Sequence, residues 1–261
     1  EKGVTCHSET AVTKLHLSGK RIDYIETSKG KFFVDKVLSS ADYNHTEQVL
    51  LPLSHRTYSE KYWDSRVFAP SSLIFYLGIN KRIEKLEHHN LFFDEDIHKH
   101  SMEIYEDPKW PTKPLFYVCC PSKTDKTIAP EGMENVFILM PIATDLSDTQ
   151  EIRERYFKII LNRLQKYTGE DISPHIIYKR SYCVADFKSD YNAYKGNAYG
   201  LANTLKQTAF LKPKIKHKKV ENLYYTGQLT VPGPGVPPSI ISGQLVANQL
   251  IKDIKDYETV I

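Results

Sequence analysis

The sequence predicts a mixed α/β chain of α+β character, and three observations carry that expectation. Thr10 to Leu17 and Ile22 to Glu26 alternate apolar and polar residues on either side of Gly19-Lys20, which is the pattern of a hairpin. Thr149 to Thr168 sets Ile152, Tyr156, Ile159, Ile160, Leu164 and Tyr167 on one helical face, and Gly169 follows as a C-terminal stop. Asn222 to Ile254 joins a short strand, a loop dense in glycine and proline, and a helix.

The remaining elements follow in order along the chain. Lys29-Gly30-Lys31 turns the hairpin into Phe32-Phe33-Val34, and Val37 to Asp42 reads as a short buried strand. Thr46 to Leu51 predicts a short helix, and Ala69 to Gly78 a strand of bulky residues. His88 to Phe93 is a further strand, Asp94 to Tyr105 a helix that Pro108 to Pro114 stops, and Leu115 to Cys120 the most apolar strand. A turn-rich connection from Pro121 to Gly132 leads to its partner strand, Asn135 to Ile142, and Ile176 to Arg180 adds another.

Composition narrows the function classes. The 261 residues, 41% apolar and 26% charged, suffice for a sizeable core. A net charge of +3 gives no case for a nucleic-acid partner. Four cysteines without a C-x-x-C spacing form neither a disulfide framework nor a zinc pattern, which points to a reducing, cytoplasmic setting. No apolar run approaches the ~20 residues that span a bilayer, so membrane contact is expected to be peripheral. Beginning with Glu1 and without a signal-peptide pattern, the chain reads as an excerpt of a longer protein.

The most informative stretch is the third. Leu223 to Thr226 is β-prone and ends at Gly227; Thr230 to Pro238 then holds Gly233, Gly235 and four prolines, which neither a helix nor a ladder tolerates. Pro237 and Pro238 suit a first helical turn, and Ile240, Ile241, Leu245, Val246, Leu250 and Ile254 keep helical spacing. Strand, glycine loop and helix start together aim free N–H groups and the positive end of a helix dipole at one point, which suits an electron-rich ligand.

This segment resembles the C-terminal flavin-contacting signature of the phytoene desaturase family of FAD-dependent carotenoid desaturases. Thr230, Pro232, Gly233, Gly235 and Pro237 match T-x-P-G-x-G-x-P in order. The likeness extends to Ser40-Ala41-Asp42, where Ser40 stands for the Asn of S-N-A-D, to His88-His89-Asn90-Leu91-Phe92-Phe93, and to Pro121-Ser122 through Gly132. It also covers Gly196 to Pro213, where Lys212 replaces the usual Arg and loses bidentate reach. The resemblance implies the C-terminal part of a Rossmann-type FAD-binding flavoprotein with a mixed-sheet substrate domain. Residues 1–45 and 181–261 would belong to the FAD-binding domain and residues 46–180 to the substrate domain.

FAD is then the implied cofactor, with Gly227, Thr230, Gly233, Gly235, Val236 and Pro237 as its contacts here. The N–H groups of Gly235 and Val236 would stabilise negative charge on the reduced ring, and Gly235 would be needed because a side chain blocks it. Because no G-x-G-x-x-G occurs, only part of the site is expected in this chain, and the fragment alone is expected to be inactive. Gly196, Tyr199, Gly200 and Gln207 would line the passage to an acyclic carotenoid substrate. A hydroxycarotenoid desaturase or carotenoid isomerase would carry the same motifs, and a non-catalytic apolar-ligand or membrane-binding module is the alternative of another class.

No acid–base pair is specific enough to name as catalytic, and oligomeric state is not encoded in any motif. His88 and His89, adjacent in a strand, are expected to point to opposite faces, so no metal site is expected. Cys119 and Cys120 read as packing residues. Lys212, Lys214, Lys216, Lys218 and Lys219 form the one concentrated positive stretch: a solvated loop, or an attraction to anionic lipid that would make the protein membrane-associated.

Overall fold

The structure, a computed structural model, describes residues 3–258; the extreme ends of the expected domain ranges, 1–2 and 259–261, lie outside it. The chain divides into two compact units. One comprises the residues up to Ala69, Asn192–Tyr194 and those from Tyr199 onward, and the other comprises Pro70–Tyr191 and Lys195–Ala198. Residues 46–69 thus pack with the first unit.

The first unit opens with the meander the alternation predicts: β1 (Val12–Ser18), β2 (Arg21–Thr27) and β3 (Gly30–Phe33), antiparallel throughout. Leu15 and Ile22 turn inward from it. Strand β4 (Val37–Ser39) ends earlier than the apolar run suggests, because the Asp42 carboxylate accepts from the His45 N–H at 3.1 Å and caps helix α1 (Tyr43–His45). Helix α1 continues into Thr46–Leu50, a π-helical turn where an ordinary short helix is expected. Helix α2 (Glu60–Asp64) follows, capped by Ser59.

Under these elements lies a buried carboxylate. Glu47 is fully buried; its Oε2 accepts from the N–H groups of Thr57 at 2.7 Å and Tyr58 at 3.0 Å, and its Oε1 lies 3.0 Å from His217 Nε2. The His217 Nδ1 accepts from the N–H groups of Lys219 and Val220, so Nε2 carries the proton and donates to Glu47. Tyr225 reaches the same carboxylate at 3.4 Å and stacks on Tyr43 with ring centroids 3.7 Å apart.

The second unit is a five-stranded antiparallel sheet built from β5 (Ser71–Ile79), β6 (His89–Phe92), β7 (Phe116–Cys119), β8 (Glu134–Ile142) and β9 (Ile176–Tyr182), in the order β6-β7-β8-β5-β9. Helix α3 (Ile97–Tyr105) lies between β6 and β7 in sequence, and α4 (Gln150–Thr168) between β8 and β9. The apolar stripe of α4, with Tyr156, Phe157, Ile160 and Leu164, shares a core with Phe75, Phe116, Val118, Ile138 and Met140 of the sheet. Gly169 closes α4 at φ +82°, as its position predicts.

The alternate residues of the same strands form the other face. Register places His89, Cys119, Phe137, Tyr76 and Arg180 in one row across the sheet, and Leu91, Tyr117, Leu139, Ile74 and Tyr182 in the next. Most of these side chains stay partly exposed, which leaves an aromatic and apolar sheet face open. Helix α5 (Val184–Tyr191) completes the unit. Arg153 forks onto Asp148 at 2.7 and 2.6 Å and also reaches Asp186 at 2.7 Å, tying α4 to α5.

The chain returns to the first unit through β10 (Leu223–Tyr225), which pairs in parallel with β4, and ends in α6 (Val236–Glu258). Asn222 fixes this return: its side-chain amide exchanges two hydrogen bonds of 2.8 Å with the Ile22 backbone and donates to the Asp35 carbonyl. No helix among the described residues is long and apolar enough to cross a membrane.

Replacing Glu47 by Leu strands two buried N–H groups and His217, so urea denaturation should show a loss of about 3–5 kcal/mol, with Glu47→Gln costing less. In the second unit, burial alone would raise Asp148 and Glu134. The hydrogen bonds from Arg153 and the Ala185 N–H, and from Lys123 and Ser122, outweigh it and hold both carboxyls below the usual range. Unfolding frees these carboxyls to bind protons more readily, so their stabilisation is complete above about pH 5 and drains away as pH falls below about 4 toward the depressed folded values. Urea midpoints against pH should show that acid slope, and Asp148→Asn should flatten it.

Candidate functional site

The strand–loop–helix segment is held at both ends. At the end of β10, the Gly227 N–H donates to Ser242 Oγ at 2.7 Å, and Thr226 Oγ1 lies 2.7 Å from the same atom. Ser242 spends its own hydrogen on the Ser239 carbonyl, so Thr226 is the donor, and one serine on α6 pins the end of the strand. Inside the loop Thr230 is fully buried, with both its N–H and its hydroxyl donating to the Gly227 carbonyl.

Gly233 and Gly235 both adopt left-handed backbone, with φ of +132° and +110°. A Cβ on Gly233 would sit 3.0 Å from Lys212 Cε and 3.2 Å from its Nζ, whereas one on Gly235 would meet only the Pro238 ring at 3.4 Å. Conformation is therefore the stronger reason for Gly235 and crowding the additional one for Gly233. The Gly235 carbonyl accepts from both the N–H and the hydroxyl of Ser239. Pro237 and Pro238 have no N–H, and the amides of Gly235 and Val236 find no acceptor among the described residues. Two donors at the start of a 23-residue helix, in the helix dipole's positive end, make a place for negative charge. These are the two amides the sequence singles out, and as donors they suit an electron-rich ligand.

The second group of expected contacts separates. Gly196 lies in the second unit, where a Cβ would stand 2.7 Å from Val184 and where its carbonyl accepts from Ser71 Oγ at 2.6 Å. Gly200 lies in the first unit at φ +84°, where a Cβ would stand 2.7 Å from the Gln228 carbonyl oxygen. The Gln207 amide is taken up by backbone: Nε2 donates to the carbonyls of Val67 and Ala202, and Oε1 accepts from the Val67 N–H. Tyr199 alone of the four presents an exposed side chain. These positions build the scaffold more than they offer groups to a ligand.

Sequence reasoning missed Lys212. In the basic run it reads as solvated, yet it is buried, its Nζ donates to the Leu201 carbonyl at 3.3 Å, and no carboxylate among the described residues pairs with it. Burial pushes its pKa down. The rest of the run is equally mixed: His217 is buried on Glu47, Lys216 pairs with Asp253 at 2.6 Å, and Lys214 donates to the Phe210 carbonyl. Only a hint was available beforehand, namely that Lys212 occupies the Arg position of the family motif.

In the second unit a cavity of about 670 Å³ opens among Tyr76, Ile128, Ile177, Tyr178, Tyr182 and Tyr191. Tyr76 packs on Phe137 at 5.5 Å and Tyr117 on Phe137 at 6.4 Å, so cavity and open sheet face share one aromatic surface. Arg180, Asn135 and Asp190 also line the cavity, so its wall joins apolar area to a few polar groups.

No family model matches the chain. It is 42% identical over 255 residues to a carotenoid 3,4-desaturase of Haloarcula japonica, an alignment covering 97% of this chain and 51% of that protein. It is 30% identical over 255 residues to a 4,4'-diaponeurosporene oxygenase of Staphylococcus aureus, covering 96% and 51%. A 4,4'-diapophytoene desaturase of Staphylococcus haemolyticus is 30% identical over 246 residues, covering 90% and 49%. The chain spans about half the length of the curated relatives it matches. Among solved structures, an oxidoreductase from Methanosarcina mazei superposes with a TM-score of 0.54 at 11% identity over 92% of this chain and 49% of that one. Cyclohexylamine oxidase from Brevibacterium oxydans gives 0.54 at 10% identity over 94% and 48%. These two share the fold, and the likeness to carotenoid desaturases seen in the motifs holds across nearly the whole chain.

Lys212→Met removes an unpaired buried charge, so the flavin-free protein should be more stable at neutral pH. Wild type gains stability as pH rises toward about 10.4, because its unfolded state there binds more protons, and the advantage of the variant should fade over that window. Urea denaturation of both proteins across that range measures the difference.

Proposed function

We propose that this chain, related to carotenoid desaturases along nearly its whole length, is the C-terminal half of an FAD-dependent desaturase that dehydrogenates phytoene or a related acyclic carotenoid. The observation that carries the flavin reading is the pair of unpartnered amides at Gly235 and Val236, presented by two left-handed glycines at a helix start. The relatives and the open aromatic sheet support the substrate class.

No protein side chain accepts a hydride, and FAD, when bound, supplies that acceptor for a C–H bond beside a polyene. The residues of this chain do the rest. Gly227, Gly233, Gly235, Val236 and Pro237 would shape the wall against the ring, with the buried Thr230 bracing the loop behind it, and the amides of Gly235 and Val236 would stabilise negative charge at its edge. Lys212, buried behind Gly233, adds a cation that a negatively charged ring would keep protonated. Tyr199 and Gly200 would belong to the substrate passage, and Gln207 fixes the backbone at Val67 and Ala202. The aromatic face of Tyr76, Tyr117 and Phe137 would give a long hydrocarbon an apolar surface to lie along.

The identity of 42% to the 3,4-desaturase, against 30% to the others, favours a second reading in which the substrate is an acyclic carotenoid desaturated at the 3,4 position rather than phytoene. Peripheral contact with the lipid that holds such a substrate belongs to either reading.

The test uses the protein expressed from its complete reading frame. Wild type should purify with flavin absorbance, and anaerobic addition of phytoene, or of an acyclic carotenoid with a saturated 3,4 bond, should bleach it while longer-wavelength polyene bands appear. Gly235→Val should lose bound flavin by about tenfold or more in affinity, through strain at φ > 0 and an obstructed wall. A folded full-length protein without flavin would overturn the reading of the glycine loop. Flavin that no carotenoid bleaches would retain the cofactor and remove the substrate.

A further inference from the structure

His88 and His89 lie side by side, with ring centroids 4.2 Å apart, and not on opposite faces as strand alternation would have it. The reason is local. Strand β6 begins only at His89, and the turn before it is closed by Asn90, whose side chain accepts from the Glu87 N–H at 2.9 Å and donates to the Glu87 carbonyl at 2.7 Å. That turn swings His88 out of strand geometry while its carbonyl still accepts from the Cys120 N–H at 2.8 Å. Across the ladder His89 is paired directly with Cys119, so the thiol comes to the same place.

We propose that His88, His89 and Cys119 form a site for Zn²⁺ or a late first-row dication of like preference. One donor atom from each residue lies within 4.8 Å of the other two. A tetrahedral zinc with nitrogen at about 2.0 Å and sulfur at about 2.3 Å holds its donors roughly 3.3–3.6 Å apart, so side-chain rotation of about an ångström closes the set. The outer groups that such ligands need are already in place. Thr124 Oγ1 gives its hydrogen to the Pro121 carbonyl and therefore accepts from His88 Nδ1 at 2.6 Å, which leaves Nε2 as the basic nitrogen. Tyr117 Oη holds His89 Nδ1 at 2.5 Å.

Two imidazoles and a thiolate suit a borderline-soft ion, and on binding the thiol gives up its proton to solvent. Three protein donors leave a fourth position for water or an anion, on the open face of the sheet. The site is independent of the flavin reading, since every residue in it belongs to the second unit.

Titration of the reduced, full-length protein with Co²⁺ alone tests it. One equivalent should bind with a thiolate-to-cobalt charge-transfer band that Zn²⁺ abolishes. Cys119→Ser should remove the band, and His88→Gln and His89→Gln should each weaken Co²⁺ binding by about tenfold or more, at least the loss an outer-group change brings. All three positions are on or near the surface, and circular dichroism of each variant checks that it folds. Cys6→Ser, which alters the exposed thiol beside His7, should change nothing. A folded wild type without the band, or a band that survives Cys119→Ser, would overturn the proposal.

Discussion

The first unit depends on one buried carboxylate. Glu47 collects two backbone N–H groups, a histidine and a tyrosine from three other stretches of chain, and it is fully buried. A polar hub of this kind makes each partner's position conditional on the others, because any gap leaves an uncompensated group in a low-dielectric interior. The π-helical turn that carries Glu47 and the strand that carries Tyr225 are thereby registered to one another. The glycine loop leaves from the end of that same strand.

The second unit relies instead on the two-residue period of its strands. β8 alternates between buried and more exposed positions along its nine residues, and the same alternation in β6, in β7 and in β5 from Phe75 onward sends one set of side chains to the core and the other to the open face. One face is a close-packed core. The other is an aromatic surface whose chemistry follows from the residues that alternation leaves outside.

Much of this was legible in the sequence, because local rules governed it. The meander, the five strands of the second sheet and the amphipathic α4 with its glycine stop were visible in periodicity, and the strand–loop–helix signature was visible in the spacing of Gly233, Gly235 and the prolines. What escaped was decided by contacts between distant residues or by a single turn. Lys212 looked solvated among lysines, since nothing local says that the chain bends it under Gly233. Gln207 looked free to meet a ligand until its amide was found bound to Val67 and Ala202. His88 broke the alternation rule because the strand starts one residue later than the apolar pattern suggests. The parallel pairing of β4 with β10, separated by more than 180 residues, rests on the Asn222 side chain, and no window of sequence contains both partners.

The two prolines at the start of α6 have a consequence for anion binding. A helix that cradles a phosphate offers a ring of successive amides converging on a tetrahedron of oxygens. Here that ring has been thinned to Gly235 and Val236, because the next two residues have no hydrogen to give and the Ser239 N–H is already committed to the Gly235 carbonyl. What remains is a fork with two prongs. The terminus therefore offers two backbone donors where an uninterrupted helix start would offer three or four, and its hold on any anion rests on fewer hydrogen bonds.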